Sequence, residues 1–173
     1  LLNQWTTVEF SDTCFLEFTK KYIEKYDLKF SERVEKLLWD GKYSAVEQLV
    51  KLSSYKLSNT EEIRLKYQKH EKNLTGALSS LSIAEASQPG VVFERFRYKM
   101  DKMFLDSASD FILSNSDQGL RVLGRAKKWA LYRMRLVKYN LGLLRFSLAY
   151  DIASKHYLEA GEANYFELEW IAG

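Results

Sequence analysis

The stretch RVEKLLWDGKYSAVEQLV, residues 33–50, decides the fold class. Val34, Leu37 and Leu38 recur at the i, i+3, i+4 spacing that puts side chains on one helical face. Asp40-Gly41 then interrupts the pattern, because glycine accepts the positive φ at which helices stop. The apolar rhythm resumes over Tyr43 to Leu52, with the small Ala45 facing the first helix where two backbones approach closely. With Ser31 predicted as the cap of the first helix, the segment reads as helix, Asp-Gly-Lys turn and returning helix.

The same spacing runs outward in both directions, and strict alternation of apolar and polar residues is almost missing. On the N-terminal side, Ser11 or Asp12 caps a helix carrying Phe15, Phe18, Tyr22 and Ile23 on one face and ending near Asp27. On the C-terminal side, Glu61 to Lys72 and Gly76 to Ala86 form a pair around Asn73-Leu74-Thr75-Gly76. Gln88-Pro89-Gly90 opens a helix to about Asp101, since proline at a helix start lacks only an N–H that had no partner there. Its return spans Met103 to Leu113, with Ala108 in the small position. After the loop from Ser114 to Gly119 come Leu120 to Asn140, then Gly142 to Lys155 with Ala149 small, and a last helix from Glu162 onward. Consecutive hairpins of about 25 to 40 residues predict an all-α chain built as an α-solenoid of tetratricopeptide-like units. The expected organisation is a single helical-repeat domain over 1–173, with a plain helical bundle as the alternative.

Composition agrees with an ordered chain. Eleven tyrosines and ten phenylalanines against one proline are the opposite of a disordered composition, and 173 residues are enough for one core. The net charge of +3, from 26 basic and 23 acidic residues, imposes no strong field on partners. No apolar run reaches the ~18 residues of a membrane-spanning helix, so no membrane insertion is expected. Cys14, the lone cysteine, allows no internal disulfide and is expected to be a small buried apolar residue.

Few residues carry chemistry. His70 and His156 stand far apart without cysteines, so neither predicts a metal centre, and no glycine-rich phosphate loop occurs. No cofactor is expected. Glu159, Glu162, Glu167 and Glu169 fit solvated faces and caps better than a catalytic pair. Asn73-Leu74-Thr75 has only the spacing of a glycosylation acceptor. The segment 121–145 carries Arg121, Arg125, Lys127, Lys128, Arg133, Arg135, Lys138 and Arg145, interleaved with Trp129, Tyr132 and Tyr139. Cations and rings together can bind nucleic acid. Helical geometry instead gathers Trp129, Tyr132, Leu136 and Tyr139 on one stripe and turns Lys128, Arg135 and Lys138 elsewhere, the wet and buried faces of one helix. Nucleic acid is therefore not an expected partner, and a binder acting through 121–145 is the second alternative.

Four pieces in order resemble the helical superhelix of soluble lytic murein transglycosylases: residues 33–50, GVVFERFRYKMDKMFLDSASDFIL (90–113), RAKKWALYRMRL (125–136) and SLAYDIASKHYLEAGEANYFELEWIAG (147–173). The carrying features are Phe93-Glu94-Arg95 with Arg97, Ala149-Tyr150 followed by Ala153-Ser154, and Glu169-Trp170-Ile171-Ala172-Gly173. Residues 53–86 match poorly. The resemblance implies a periplasmic protein whose parent cleaves peptidoglycan between N-acetylmuramic acid and N-acetylglucosamine, leaving a 1,6-anhydro end. It places the acid/base glutamate, within a Glu-Ser motif, in a separate lysozyme-like domain. No Glu-Ser dipeptide occurs here, so this chain alone is expected to be non-catalytic, with no catalytic residue assigned. The expected role is a scaffold that supports the parent's own catalytic domain and guides glycan strands, and the chain is expected to stop inside a longer solenoid. Tyrosines would stack on sugar faces, and Arg125, Lys128, Arg135 and Lys138 are the candidate glycan or partner surface. A helical-repeat adaptor for a protein partner is the first alternative.

Overall fold

The computed structural model describes residues 11–26 and 30–173, and among them every regular element is a helix. The chain divides into two compact units, Leu1–Leu81 and Ser82–Gly173.

In the first unit, α1 (Asp12–Tyr26) starts on Ser11, whose Oγ accepts from the Cys14 N–H at 3.4 Å. Cys14 is exposed on the first turn of α1 rather than buried as expected. The predicted helix end at Asp27, and the side chains of Phe15 and Ile23, lie outside the described residues. The hairpin read from residues 33–50 is present as α2 (Phe30–Trp39) and α3 (Tyr43–Leu52). Val34, Leu37 and Leu38 meet Val46 and Leu49 in one core cluster, with Ala45 and Phe18 packed against it. Ser31 does not cap α2. The helix already includes Phe30, which packs on this cluster and stacks on Tyr55 at 5.9 Å, so Ser31 lies inside its first turn. Next come α4 (Asn59–Gln68), entered through a Ser58/Glu61 capping box, and the short α5 (Leu74–Ser79). The buried Gln68 donates from Nε2 to the Leu38 carbonyl at 2.7 Å, satisfying an acceptor in the last turn of α2.

The predicted helix over Gly76 to Ala86 is two pieces. Ser82 and Glu85 form a second capping box, which starts α6 (Ile83–Ala86) afresh after the loop. In the second unit, α7 (Pro89–Asp101) begins at the proline as read, and α8 (Leu105–Ser116) returns from it. The predicted helix from Leu120 to Asn140 is also broken, into α9 (Leu120–Leu123) and α10 (Ala126–Gly142). Gly124 at φ 67 turns the chain there. The Leu123 carbonyl, which helical continuation would give to residue 127, accepts instead from Arg125 N–H at 2.8 Å and from the Trp129 indole at 2.9 Å. Gly142 closes α10 instead of opening the next helix, α11 (Phe146–Ser154), and α12 (Tyr165–Ala172) completes the unit. Ala108 and Ala149 are fully buried, as their small-residue positions require.

One helix ending recurs. At Gly41, His70, Met103 and Leu144 the backbone is left-handed, and the two N–H groups that follow the last turn bond back to it, as in Lys42 N to Leu37 O and Arg145 N to Asn140 O, both 2.9 Å. Only the first of these positions holds a glycine.

Candidate functional site

The four cations singled out from sequence all belong to α10 or its cap. Arg125 is the N-cap residue, Lys128 lies in the first turn, and Arg135 and Lys138 follow on the solvent side of the second half. At ~1.5 Å rise per residue, Lys128 and Lys138 are ~15 Å apart along the helix. The opposite stripe anchors α10. Trp129 and Leu136 are fully buried, Tyr132 and Tyr139 half-buried, and Phe93 and Phe96 meet the Trp129 ring at 5.2 and 4.7 Å. Burial pushes the Tyr132 phenol pKa up.

Arg133, read from sequence as part of the basic run, is instead fully buried. Its Nη1 donates to the Ile152 carbonyl at 2.6 Å and its Nη2 to Ser116 Oγ at 2.8 Å. Ile152 lies in the last turn of α11, and Ser116 ends α8. The guanidinium thus sits at two helix C-termini, whose carbonyl ends carry partial negative charge. Tyr157 adds a bond from its hydroxyl to the Ser116 carbonyl at 2.9 Å. Burial lowers the Arg133 pKa to about 10, which leaves it charged at neutral pH. No period in the sequence separates this arginine from its exposed neighbours, because its partners are 17 and 19 residues away.

Two concavities flank α10. At its N-terminus a pocket of about 410 Å³ is lined by Arg125, Lys127, Lys128, Tyr157 and Glu162. Lys127 Nζ meets Glu162 Oε1 at 2.7 Å, an ion pair that raises the lysine and lowers the glutamate pKa through their hydrogen bond. The second is a groove of about 800 Å³ between α10 and α12, lined by Met134, Lys138, Leu141, Phe166, Glu167, Trp170 and Ile171. Phe166 is 71% and Trp170 84% exposed, on the face of α12 opposite the buried Leu168. The structure therefore divides the predicted surface, with Arg125 and Lys128 at the first pocket, Lys138 at the groove, and Arg135 lining neither. Sequence reading took Trp170 only as part of a terminal motif. Its i, i+4 spacing from Phe166 was the available signal of an aromatic face.

The loop before α12 is held by the buried His156. Its Nδ1 accepts from the Leu158 N–H at 2.8 Å, which leaves the ring proton on Nε2 to face Glu169 Oε1, also at 2.8 Å. His70 is exposed. Among the described residues no group of three or more His, Cys, Asp or Glu side chains could hold a metal ion, and no helix is long and apolar enough to cross a membrane. No family model, curated protein or solved structure matches this chain.

Proposed function

We propose that this chain is a non-catalytic helical scaffold segment of a peptidoglycan lytic transglycosylase, acting in the periplasm as a superhelix of tetratricopeptide-like hairpins that supports the catalytic domain and guides glycan strands. The observation that carries the reading is where the family-like residues fall. Phe93-Glu94-Arg95 and Arg97 stand on the first helix of the α7/α8 hairpin, Ala149 to Ser154 on α11, and Glu169 to Ala172 on α12, in the order the resemblance implies. Many of them are packing residues: Phe93, Glu94, Ala149 and Ala153 are buried, and Arg97 Nη2 holds Glu94 Oε2 at 2.7 Å. Residues of this kind join helices, which is what a scaffold needs. The recurrence of one helix ending in both units supports a repeated hairpin plan.

The surface for glycan or its peptide carboxylates is Arg125, Lys128, Arg135 and Lys138, cations spread along one helix so that they meet a polymer at several points. The test uses purified murein sacculi. The chain is expected to pellet with sacculi, to release no anhydro-muropeptides, and to lose retention when all four cations become serine. Release of anhydro ends by this chain overturns the scaffold reading. Retention unchanged in the fourfold variant removes the assigned surface.

A further inference from the structure

We propose that the groove between α10 and α12 is a docking site for one amphipathic α-helix of a partner protein, a helix with an acidic flank toward α10 and a basic flank toward α12. The proposal stands independently of the murein reading. Its starting point is an open, largely apolar concavity whose walls are helices. Met134 and Leu141 come from α10 and Ile171 from α12, while Phe166 and Trp170 stand 71% and 84% exposed beside them. Large aromatic rings left in water on one face mark an interaction surface.

The shape selects a helix. Met134 and Leu141 are seven residues apart, so the α10 wall runs for ~10 Å, two helical turns. A partner helix placing apolar residues at i, i+3 or i+4, and i+7 would fill that length with interlocking side chains. The position continues packing already present in this unit, in which α11 lies against α10 and α12 against α11. A helix in the groove would flank α12 and cover Leu131, Lys138 and Leu141, of which Leu131 is 61% exposed, over a floor formed by the already buried Met134.

The chemistry argues against a sugar or a small polar ligand. Such ligands need several convergent polar groups to orient them, and Met134, Leu141 and Ile171 offer none. The groove's charges stand at its edges, Lys138 on the α10 side and Glu167 on the α12 side. Among the described residues neither has an ion-pair partner, whereas Lys127 and Arg145, at the two ends of α10, are paired with Glu162 and Asp106. Arg135, one turn before Lys138, adds to the positive edge. Opposite unpaired charges on the two edges specify the polarity of the occupant's flanks as well as its greasy stripe.

The experiment uses two designed helical peptides of about 18 residues, five turns each. Both carry the same apolar stripe. One has glutamates on the flank meeting α10 and lysines on the flank meeting α12, and in the other these are exchanged. Binding to the full chain is read from the fluorine resonance of 5-fluoro-Trp170, assigned with Trp170→Phe. The matched peptide is expected to shift this resonance saturably, and Phe166→Ser with Trp170→Ser to weaken binding, measured by calorimetry, at least about tenfold. Lys138→Glu is expected to reverse the preference in favour of the exchanged peptide. Because all three side chains are exposed, these variants should keep the wild-type helical circular dichroism. Failure of the matched peptide to bind overturns the proposal, as does equal affinity for both with no response to Lys138→Glu. A resonance that moves with protein concentration alone would assign the groove to a second copy, and one that moves with muropeptides would assign it to glycan. Either result refutes the proposed helix partner.

Discussion

At residues 103 and 144 the structure predicts an inverted order of stability between alanine and glycine. Met103 and Leu144 hold φ values of 59° and 57° at the ends of α7 and α10. Left-handed backbone costs a residue with a Cβ about 1–2 kcal/mol, and glycine gives back about 0.5–1 kcal/mol of that advantage through its freer unfolded chain. Comparing each glycine variant with the alanine variant at the same site removes the modest burial of side chains that are 62% and 73% exposed. The remaining difference favours glycine by about 0.5–1 kcal/mol at each site, the difference of those two terms. At Arg135, exposed in the middle of α10, the order should be the usual one, with glycine ~1 kcal/mol less stable than alanine. Urea unfolding followed by circular dichroism reads the effect. At a slope of ~2 kcal/mol/M, Leu144→Gly should unfold ~0.4 M later than Leu144→Ala with unchanged slope. If alanine proves as stable as glycine at both 103 and 144, these helix ends are not held in the left-handed conformation, and the shared ending at Gly41, His70, Met103 and Leu144 is lost with it.

Replacing Arg133 by lysine should destabilise the second unit by about 2 kcal/mol, because one ammonium cannot serve both the Ile152 carbonyl and Ser116 Oγ. Arg133→Met loses both bonds but also removes a buried charge, so it should cost no more than the lysine change; hydrogen exchange of α8 and α11 amides measures both, and a methionine variant clearly worse than lysine would mean the charge is not a net burden. Enlarging Ala108 or Ala149 to leucine should cost about 1–3 kcal/mol in urea unfolding by overpacking fully buried sites, and a neutral result at both would contradict the close helix approach. The Lys127–Glu162 pair predicts a pH window. Since the glutamate pKa is lowered in the folded state, its contribution is present above the unfolded value of 4.5 and is lost as pH falls through the folded one, so the melting-temperature gap between wild type and Glu162→Gln should close below pH 4.5. A gap undiminished at pH ~3 would remove the pair as its cause.

These tests also mark where sequence reading succeeded and where it drifted. The α2/α3 hairpin was legible because each local signal agreed: apolar spacing on Val34, Leu37 and Leu38, and a glycine at the left-handed position of the turn. At His70, Met103 and Leu144 the same turn is made by residues without turn character, and the predicted end of α4 overshoots Gln68 by four residues while that of α10 falls two short of Gly142; α7 alone of the three ends where expected, at Asp101. The break between α9 and α10 had a local marker in Gly124, but its decisive element is the Trp129 indole taking the Leu123 carbonyl, a bond that spacing does not reveal. Charge shows the same limit. Periodicity correctly turned Lys128, Arg135 and Lys138 away from the Trp129 stripe, yet it could not separate Arg133, which is buried because the ends of α8 and α11 converge on it from elsewhere in the chain.

The candidate site follows from that distinction. Spacing alone puts Phe166 and Trp170 on one face of α12 and Leu168 on the other, and both faces are apolar. Which one is buried depends on the helices packed against α12, chiefly α11: Leu168 is fully buried and the aromatic pair is left 71% and 84% exposed. A helix greasy on both sides is stable in water only when something meets each side, and here the neighbouring helices of the unit meet one. The open face is bordered by Lys138 and Glu167 rather than by a ring of polar groups, so its edges can choose among helices by flank charge while its floor supplies the affinity. Lys138 belongs at once to the cationic stripe assigned to glycan and to the rim of this groove. Its substitution is therefore the point at which the two roles separate: Lys138→Glu should weaken retention on sacculi only in part, since Arg125, Lys128 and Arg135 remain, while it should invert the choice between the two helical peptides outright.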